Sequence, residues 1–325
     1  MERILITLLW TVAALAVTLL YFVISRWLVE RLSPRAQKFA TPFVFAGPAV
    51  ILLFLFYLLP TALTILQSFQ HPRSGDWVGL ANYQRAFNSS AIRATIFNTL
   101  LWIVFVPFAC VLIGLVAAGL TDRLSRRVES FVKTIIFVPM AISFVGAATI
   151  WGLVYAFSPP DTPQVGLINQ IVVMLGGTPR PWLIVSDYKL NTFALMFIMV
   201  WLFAGFAMVN LSAAIKGVPD ETIEAARLEG ASGFTIFWRI IVPQIKTTIF
   251  TVVTAIALLT LKVFDVVYSL TGGRFDTDVI GNRFYLLAFT FRDRPLAAVL
   301  VVILLLLVIP VMIANLKQFS SKGHN

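Results

Sequence analysis

Charge is scarce in this chain. Of its 325 residues only 12% are Asp, Glu, Lys or Arg, and 59% are hydrophobic, whereas a soluble domain carries about 25% charged residues. Surface and core of a soluble fold cannot absorb that much apolar sequence, so much of it must face lipid. Cysteine is almost absent: Cys110 stands alone inside an apolar run, and His71 and His324 are far apart. An internal disulfide and a cysteine- or histidine-rich metal site are therefore excluded, and neither a metal site nor a catalytic residue is expected. A G-x-x-x-x-G-K-[ST] phosphate loop is also missing, so no nucleotide site is expected in this chain. The formal charge of +10 invites a nucleic-acid reading. The basic residues are spread over every loop without forming a stripe, and that reading is rejected.

What the chain does have is long apolar blocks, several reaching the roughly 20 residues that let a helix cross about 30 Å of hydrocarbon. The expected fold is an all-α integral membrane protein with about seven transmembrane helices, at residues 4–24, 43–67, 98–120, 134–156, 193–214, 247–270 and 296–316. Arg3 before the first run suggests a signal peptide, but the run is too long and no small-x-small site precedes Arg26, so it reads as a retained helix. Arg26, Arg31, Arg35 and Lys38, then Arg123, Arg126, Arg127 and Lys133, mark cytoplasmic loops. The N-terminus is then outside and the C-terminus cytoplasmic, although Arg274, Arg283, Arg292 and Arg294 run against the pattern. The external segments 68–97 and 157–191 contain Pro72, Pro159, Pro160, Pro163, Pro179 and Pro181 and read as structured caps. Residues 165–175 form an expected interfacial helix that ends at Gly176 and Gly177.

Between the fifth and sixth runs lies KGVPDETIEAARLEGASGFTIFWRIIVP, residues 216–243. Asp220 is placed to cap a helix, with Glu221 and Glu224 in its first turns where the helix dipole favours negative charge. Gly230 can end that helix in a left-handed conformation. Ser232 can cap a second one, with Phe234, Phe237, Trp238 and Ile241 on one face. Helix, turn, amphipathic helix is the prediction, and the residues alone allow a membrane-surface anchor as well as a docking element.

EAARLEGAS followed by FWRIIVP resembles the EAA signature of binding-protein-dependent ABC importers. Glu224, Ala225, Ala226, Gly230, Ile240 and Pro243 occupy its positions, with Val242 for the usual Leu and Glu229 for the frequent Asp. Further segments resemble the maltose-type carbohydrate permeases, possibly α-glucoside-type: VGLANYQRAF at 78–87, NTLLW at 98–102, KTIIFVPMAISFVGAATIW at 133–151, GLIN and PWL from Gly166 and Pro181, and KVFDVVYSLTGG at 262–273. The resemblance implies a six-helix type I ABC importer core at residues 39–325, with a coupling (EAA) loop at 216–243. Residues 1–38 are then an extra N-terminal helix and linker. It implies a transport subunit, not an enzyme, in the inner (cytoplasmic) membrane. The implied partners are a second permease, two ABC ATPase subunits that bind ATP and Mg, and a solute-binding protein delivering a sugar. Glu224, Ala225, Ala226, Gly230, Phe237 and Pro243 are the implied ATPase-coupling residues. Permeases for glycerol phosphate or a polyamine, and an ion-coupled secondary transporter, are the rival functions.

The same resemblance points to Leu202, Phe203, Phe206, Leu259, Thr260 and Val263 as residues of the substrate path. Lys262 and Asp265 sit three apart in an apolar run, where ionisable groups are costly unless they pair or serve a function. They are either a self-neutralising pair or solute contacts. Pro48, Pro60, Pro107, Pro139 and Pro310 interrupt apolar runs and predict kinks.

Overall fold

The computed structural model describes residues 2–122, 124–159 and 162–322; Arg123, Pro160 and His324 lie outside them. Among the described residues the only regular elements are helices and one isolated β-bridge between Gln70 and Trp77. The chain forms two compact units, residues up to Leu66 and residues from Gln67 onward. This packing boundary falls one helix later than the division at residue 38 expected from the family core. In the first unit, α1 (Glu2–Glu30) and α2 (Pro34–Gln67) are joined by a hydrogen bond from Tyr21 Oη to Val44 O (2.6 Å) and by stacking of Phe22 on Phe45. A π turn at Phe54–Leu58 precedes Pro60, which has no N–H to continue the helical ladder.

The second unit begins with α3 (Ala81–Asn88), α4 (Ser90–Thr121), α5 (Arg126–Phe137), α6 (Phe144–Val154), α7 (Leu167–Met174) and α8 (Leu190–Lys216). It continues with α9 (Asp220–Leu228), α10 (Gly233–Gln244), α11 (Lys246–Thr260), α12 (Asp265–Leu270), α13 (Ile280–Tyr285) and α14 (Arg294–Lys322). Helix α8 is the centre, packed against α4 with Met196, Ile198, Leu202, Met208 and Leu211 fully buried. Five helices, α1, α2, α4, α8 and α14, are long and apolar enough to span a membrane. Two further pairs are bent, α5 with α6 at 103° and α10 with α11 at 71°, so the described residues hold five candidate spans, or seven where each bent pair counts as one.

Two expected spans need correction. Residues 134–156 are not one helix: after Phe137 the chain tightens into a 3-10 turn at Val138–Ala141, extends at Ile142 and Ser143, and restarts. Pro139 removes a backbone donor there, and the Ser143 hydroxyl accepts from Gly146 N (3.1 Å) to cap the new helix. Residues 247–270 are likewise split, because α11 stops at Thr260 and α12 begins at Asp265 after Phe264 leaves helical geometry. By contrast Pro107 and Pro310 lie inside helices that continue past them.

The motif residues on the caps are structural. Asn82 Nδ2 donates to Ser68 O (3.0 Å) and Gln70 O (2.8 Å), closing the first cap. Asn169 of GLIN accepts from Trp182 Nε1 of PWL (2.9 Å), and α7 falls within the expected interfacial helix. After α12, Asn98 Nδ2 donates to the carbonyls of Asp276 and Asp278 (both 2.9 Å), and Arg283 Nε lies 2.6 Å from Asp278 Oδ2. Burial pushes the Asp278 carboxyl above the ordinary carboxylate range, against the pull of Asn282 and Arg283.

Candidate functional site

Segment 216–243 folds as the expected hairpin. Its first arm is α9, whose cap position is held by Pro219 and not by Asp220; Asp220 and Glu221 sit in the first turn. The extended backbone of Pro219 already starts the helix, so the carboxylates act through the dipole alone. The arm ends at Gly230, where φ is +82° and Ala231 N donates to Ala226 O (3.0 Å). Open space surrounds the position where a Cβ would sit. The need for glycine at 230 is therefore conformational and not steric. Ser232 then caps the second arm by accepting from Thr235 N (3.2 Å), as expected.

On the second arm Phe234, Phe237 and Trp238 share a face, as expected, and only Ile241 leaves it. A π turn at Phe237–Ile241 precedes Pro243, and the buried positions become Ile236 and Ile241, five residues apart as a π turn requires. Phe234 is 74% exposed, while Phe237 is half-buried with its ring against Gly119 of α4. A Cβ at Gly119 would come within 2.7 Å of that ring. Phe237 separates a groove of about 540 Å³, walled by Val116, Leu120, Phe234 and Trp238, from a cavity of about 370 Å³ beneath the hairpin. On the first arm Ala226 is buried and Ile223 half-buried, while Glu224, Ala225 and Leu228 are exposed, Leu228 by 90%. Pro243 is exposed as well. The hairpin thus holds one face in the core and leaves a carboxylate beside apolar groups on the other, a surface suited to a protein partner.

The second feature is a cleft of about 450 Å³ where the break between α5 and α6 meets the break between α11 and α12. Leu202, Phe203, Leu259 and Asp265 line it, together with Met140, Ile142, Ser143 and Phe144 from the break before α6. Lys262 and Val263 line a pocket of about 90 Å³ that shares Phe144, Leu259 and Asp265 with the cleft. Thr260 is fully buried and its hydroxyl donates to Ile256 O of its own helix (2.8 Å); Phe206 is half-buried and does not line the cleft. Lys262 and Asp265 form no ion pair, and the chain leaves helical geometry between them. Lys262 is exposed and Asp265 half-buried. Apolar walls with Ser143 and Asp265 as polar groups can hold a ligand by shape and a small number of hydrogen bonds. Discontinuous helices build this kind of site in membrane transporters. The share contributed by residues 140–144 was not anticipated; its signal was Pro139 four residues before a capping serine.

The hairpin and the cleft both lie within residues 110–318, which match the family of the binding-protein-dependent transport system inner membrane component. The chain belongs to that family. It is an ABC importer permease, a transport subunit and not an ATPase. This permease is 45% identical over 279 residues, 86% of its length and 99% of the relative, to the osmoprotective compounds uptake permease protein GgtC of Synechocystis sp.. It is 39% identical over the full length of both chains to the alpha-glucoside transport system permease protein AglF of Rhizobium meliloti. Its fold is similar to that of a subunit of a bacterial ABC transporter that imports the acidic polysaccharide alginate: TM-score 0.73, 21% identity, covering 89% of this chain and 99% of that one.

Proposed function

We propose that this permease carries a glycoside, an α-glucoside in the first instance, across the bacterial inner membrane. It does so paired with a second permease, driven by two ABC ATPase subunits and supplied by a solute-binding protein. The observation that carries this reading is the full-length match to an alpha-glucoside permease. The cleft fits it, because aromatic and aliphatic walls suit the apolar face of a sugar ring while Ser143 and Asp265 offer hydrogen bonds to its hydroxyls. The basic residues Arg26, Arg31, Arg35, Lys38, Arg126, Arg127 and Lys133 support a hairpin on the cytoplasmic side, with the N-terminus outside and the C-terminus inside. Residues 1–38 are then an addition to the six-helix core. Glu224, Ala225 and Leu228 contact an ATPase, whose closure moves the hairpin as a rigid body.

A second reading, uptake of an osmoprotective solute, is favoured by the 45% identity to the Synechocystis permease. Uptake of labelled maltose and of labelled glycine betaine into cells with and without this gene separates the two. Loss of maltose uptake alone supports the glycoside; loss of betaine uptake alone replaces it. Copurification of an ATPase subunit through a tag on this chain tests the assembly.

A further inference from the structure

One charged cluster lies outside both the hairpin and the cleft. Glu129 on α5 is 8% exposed, and its carboxylate meets two lysines, Lys133 one turn along the same helix and Lys216 (2.6 Å), the last residue of α8. Lys133 in turn donates to the hydroxyl of Ser212, one turn before Lys216 on α8. The four residues close a rectangle of two i, i+4 pairs, on two helices, with both cross-links polar. A carboxylate this buried is expensive unless its partners stay in place, so the two helix ends are held in register. Position gives the rectangle its meaning. Lys216 is where the hairpin begins, and α5 leads through Val138–Ala141 directly into Met140, Ile142 and Ser143 of the cleft.

We propose that Glu129 is a positioning residue that ties the base of the hairpin to α5, so that a shift of the hairpin moves the cleft wall at residues 140–143. The inference rests on the reading of the hairpin as the ATPase-coupling element. Coupling of this kind travels through rigid elements that are packed on one another. Helix α5 is such an element: it is clamped to α8 near Glu129, lies against Gly205 of α8 again at Ile136 and Phe137, and gives way only at the 103° break before α6.

The test uses the complete transporter purified through a tag on this chain, with Met140→Cys as a thiol reporter in the cleft wall; Cys110 is buried and serves as an internal blank. The readout is the change in thiol labelling between nucleotide-free and ATP-plus-vanadate states, and it needs no solute. Lys216→Met leaves Glu129 neutralised by Lys133, so the complex should assemble, and the nucleotide-dependent change should fall about twofold to thirtyfold. Lys216→Arg should restore it, and Glu129→Gln should reproduce the loss; if Glu129→Gln does not assemble, the Lys216 pair decides. An unchanged response in Lys216→Met, or a loss that Lys216→Arg does not restore, overturns the proposal. Gly230→Val serves as the control for the underlying reading. If it abolishes the response while Lys216→Met does not, the hairpin couples by another route; if it too leaves the response intact, the hairpin reading fails and this inference with it.

Discussion

The hairpin and the cleft both depend on a helix that stops and restarts, but the means of stopping differ. At the hairpin the stop is local: Gly230 takes φ +82° and Ser232 caps the next arm two residues later. At the cleft one stop is local and the other is not. Pro139 and Ser143 interrupt the span before α6, whereas residues 261–264 leave helical geometry without a proline or glycine among them. That second break is held from outside, since Gly281 lies so close to the Val263 carbonyl that a Cβ would come within 2.7 Å of it. A turn written by its own residues can be altered one residue at a time, but a turn held by packing answers to residues far along the chain.

The contrast is broken most severely at Phe237, the wall between the groove and the cavity beside the hairpin. Truncating a fully buried Phe costs about 3–5 kcal/mol, and at this half-buried site Phe237→Ala is expected to cost about 2 kcal/mol. Thermal unfolding of the purified permease should show a lowered midpoint. Phe234→Ala, at an exposed ring, should leave the midpoint unchanged while loosening retention of the ATPase. A midpoint that moves equally in both variants would mean that the two rings do not differ in burial as the structure has them.

Gly230 sharpens the comparison. The space around it is open, so side-chain size alone is not the difficulty. Left-handed backbone costs a β-branched residue about 1–2 kcal/mol or more, whereas Asn visits it readily. Gly230→Val should lower uptake per ATP hydrolysed about tenfold. Gly230→Asn should stay close to the native ratio despite being larger than alanine. Failure of both variants alike would point to a steric role that the open surroundings contradict.

How much could be read in advance follows the same division. The long apolar spans, the hairpin turn and the Ser232 cap were legible because apolar length, glycine and serine act within a few residues of where they stand. On α10 three of the four residues of the expected face do share a groove, but Ile241 does not, because a π turn shifts the register from four residues to five and brings Ile236 and Ile241 inward. Of the residues expected along the substrate path, Leu202, Phe203, Leu259 and Asp265 do meet at one cleft, while Thr260 turns back onto its own helix. The i, i+4 spacing of Glu129 and Lys133 is legible in the sequence, but the link across to α8 is not, since the second lysine lies 87 positions further along the chain, at Lys216.

A smaller effect is expected where the local stop of the cleft can be weakened without removing it. Loss of a serine cap costs about 1 kcal/mol. Ser143→Ala should therefore leave the permease folded while raising the solute concentration needed for half-maximal uptake several-fold, because the same hydroxyl caps α6 and lines the cleft. Ser143→Thr, which keeps a capping oxygen, should recover most of that change. An unaltered half-saturation in Ser143→Ala would remove this residue from the solute path.

The smallest effect concerns Lys262 and Asp265, which would have met across one helix turn had residues 247–270 stayed helical. With the break between them no ion pair forms, so each should act on its own surroundings. Uncoupled sites add within about 0.3–0.5 kcal/mol, whereas a buried pair that loses one partner is destabilised by several kcal/mol and regains much of this when both are removed. In the cycle of Lys262→Met, Asp265→Asn and the double variant, the unfolding midpoints should therefore add, with no rescue in the double. Asp265→Asn should also change the apparent affinity for solute, since Asp265 lines the cleft as well as the smaller pocket, while Lys262→Met, on the exposed rim of that pocket, should change it less. Rescue of stability in the double variant would show that the two charges do pair within the assembled transporter, and the break after Thr260 would then be a feature of one state of the transport cycle.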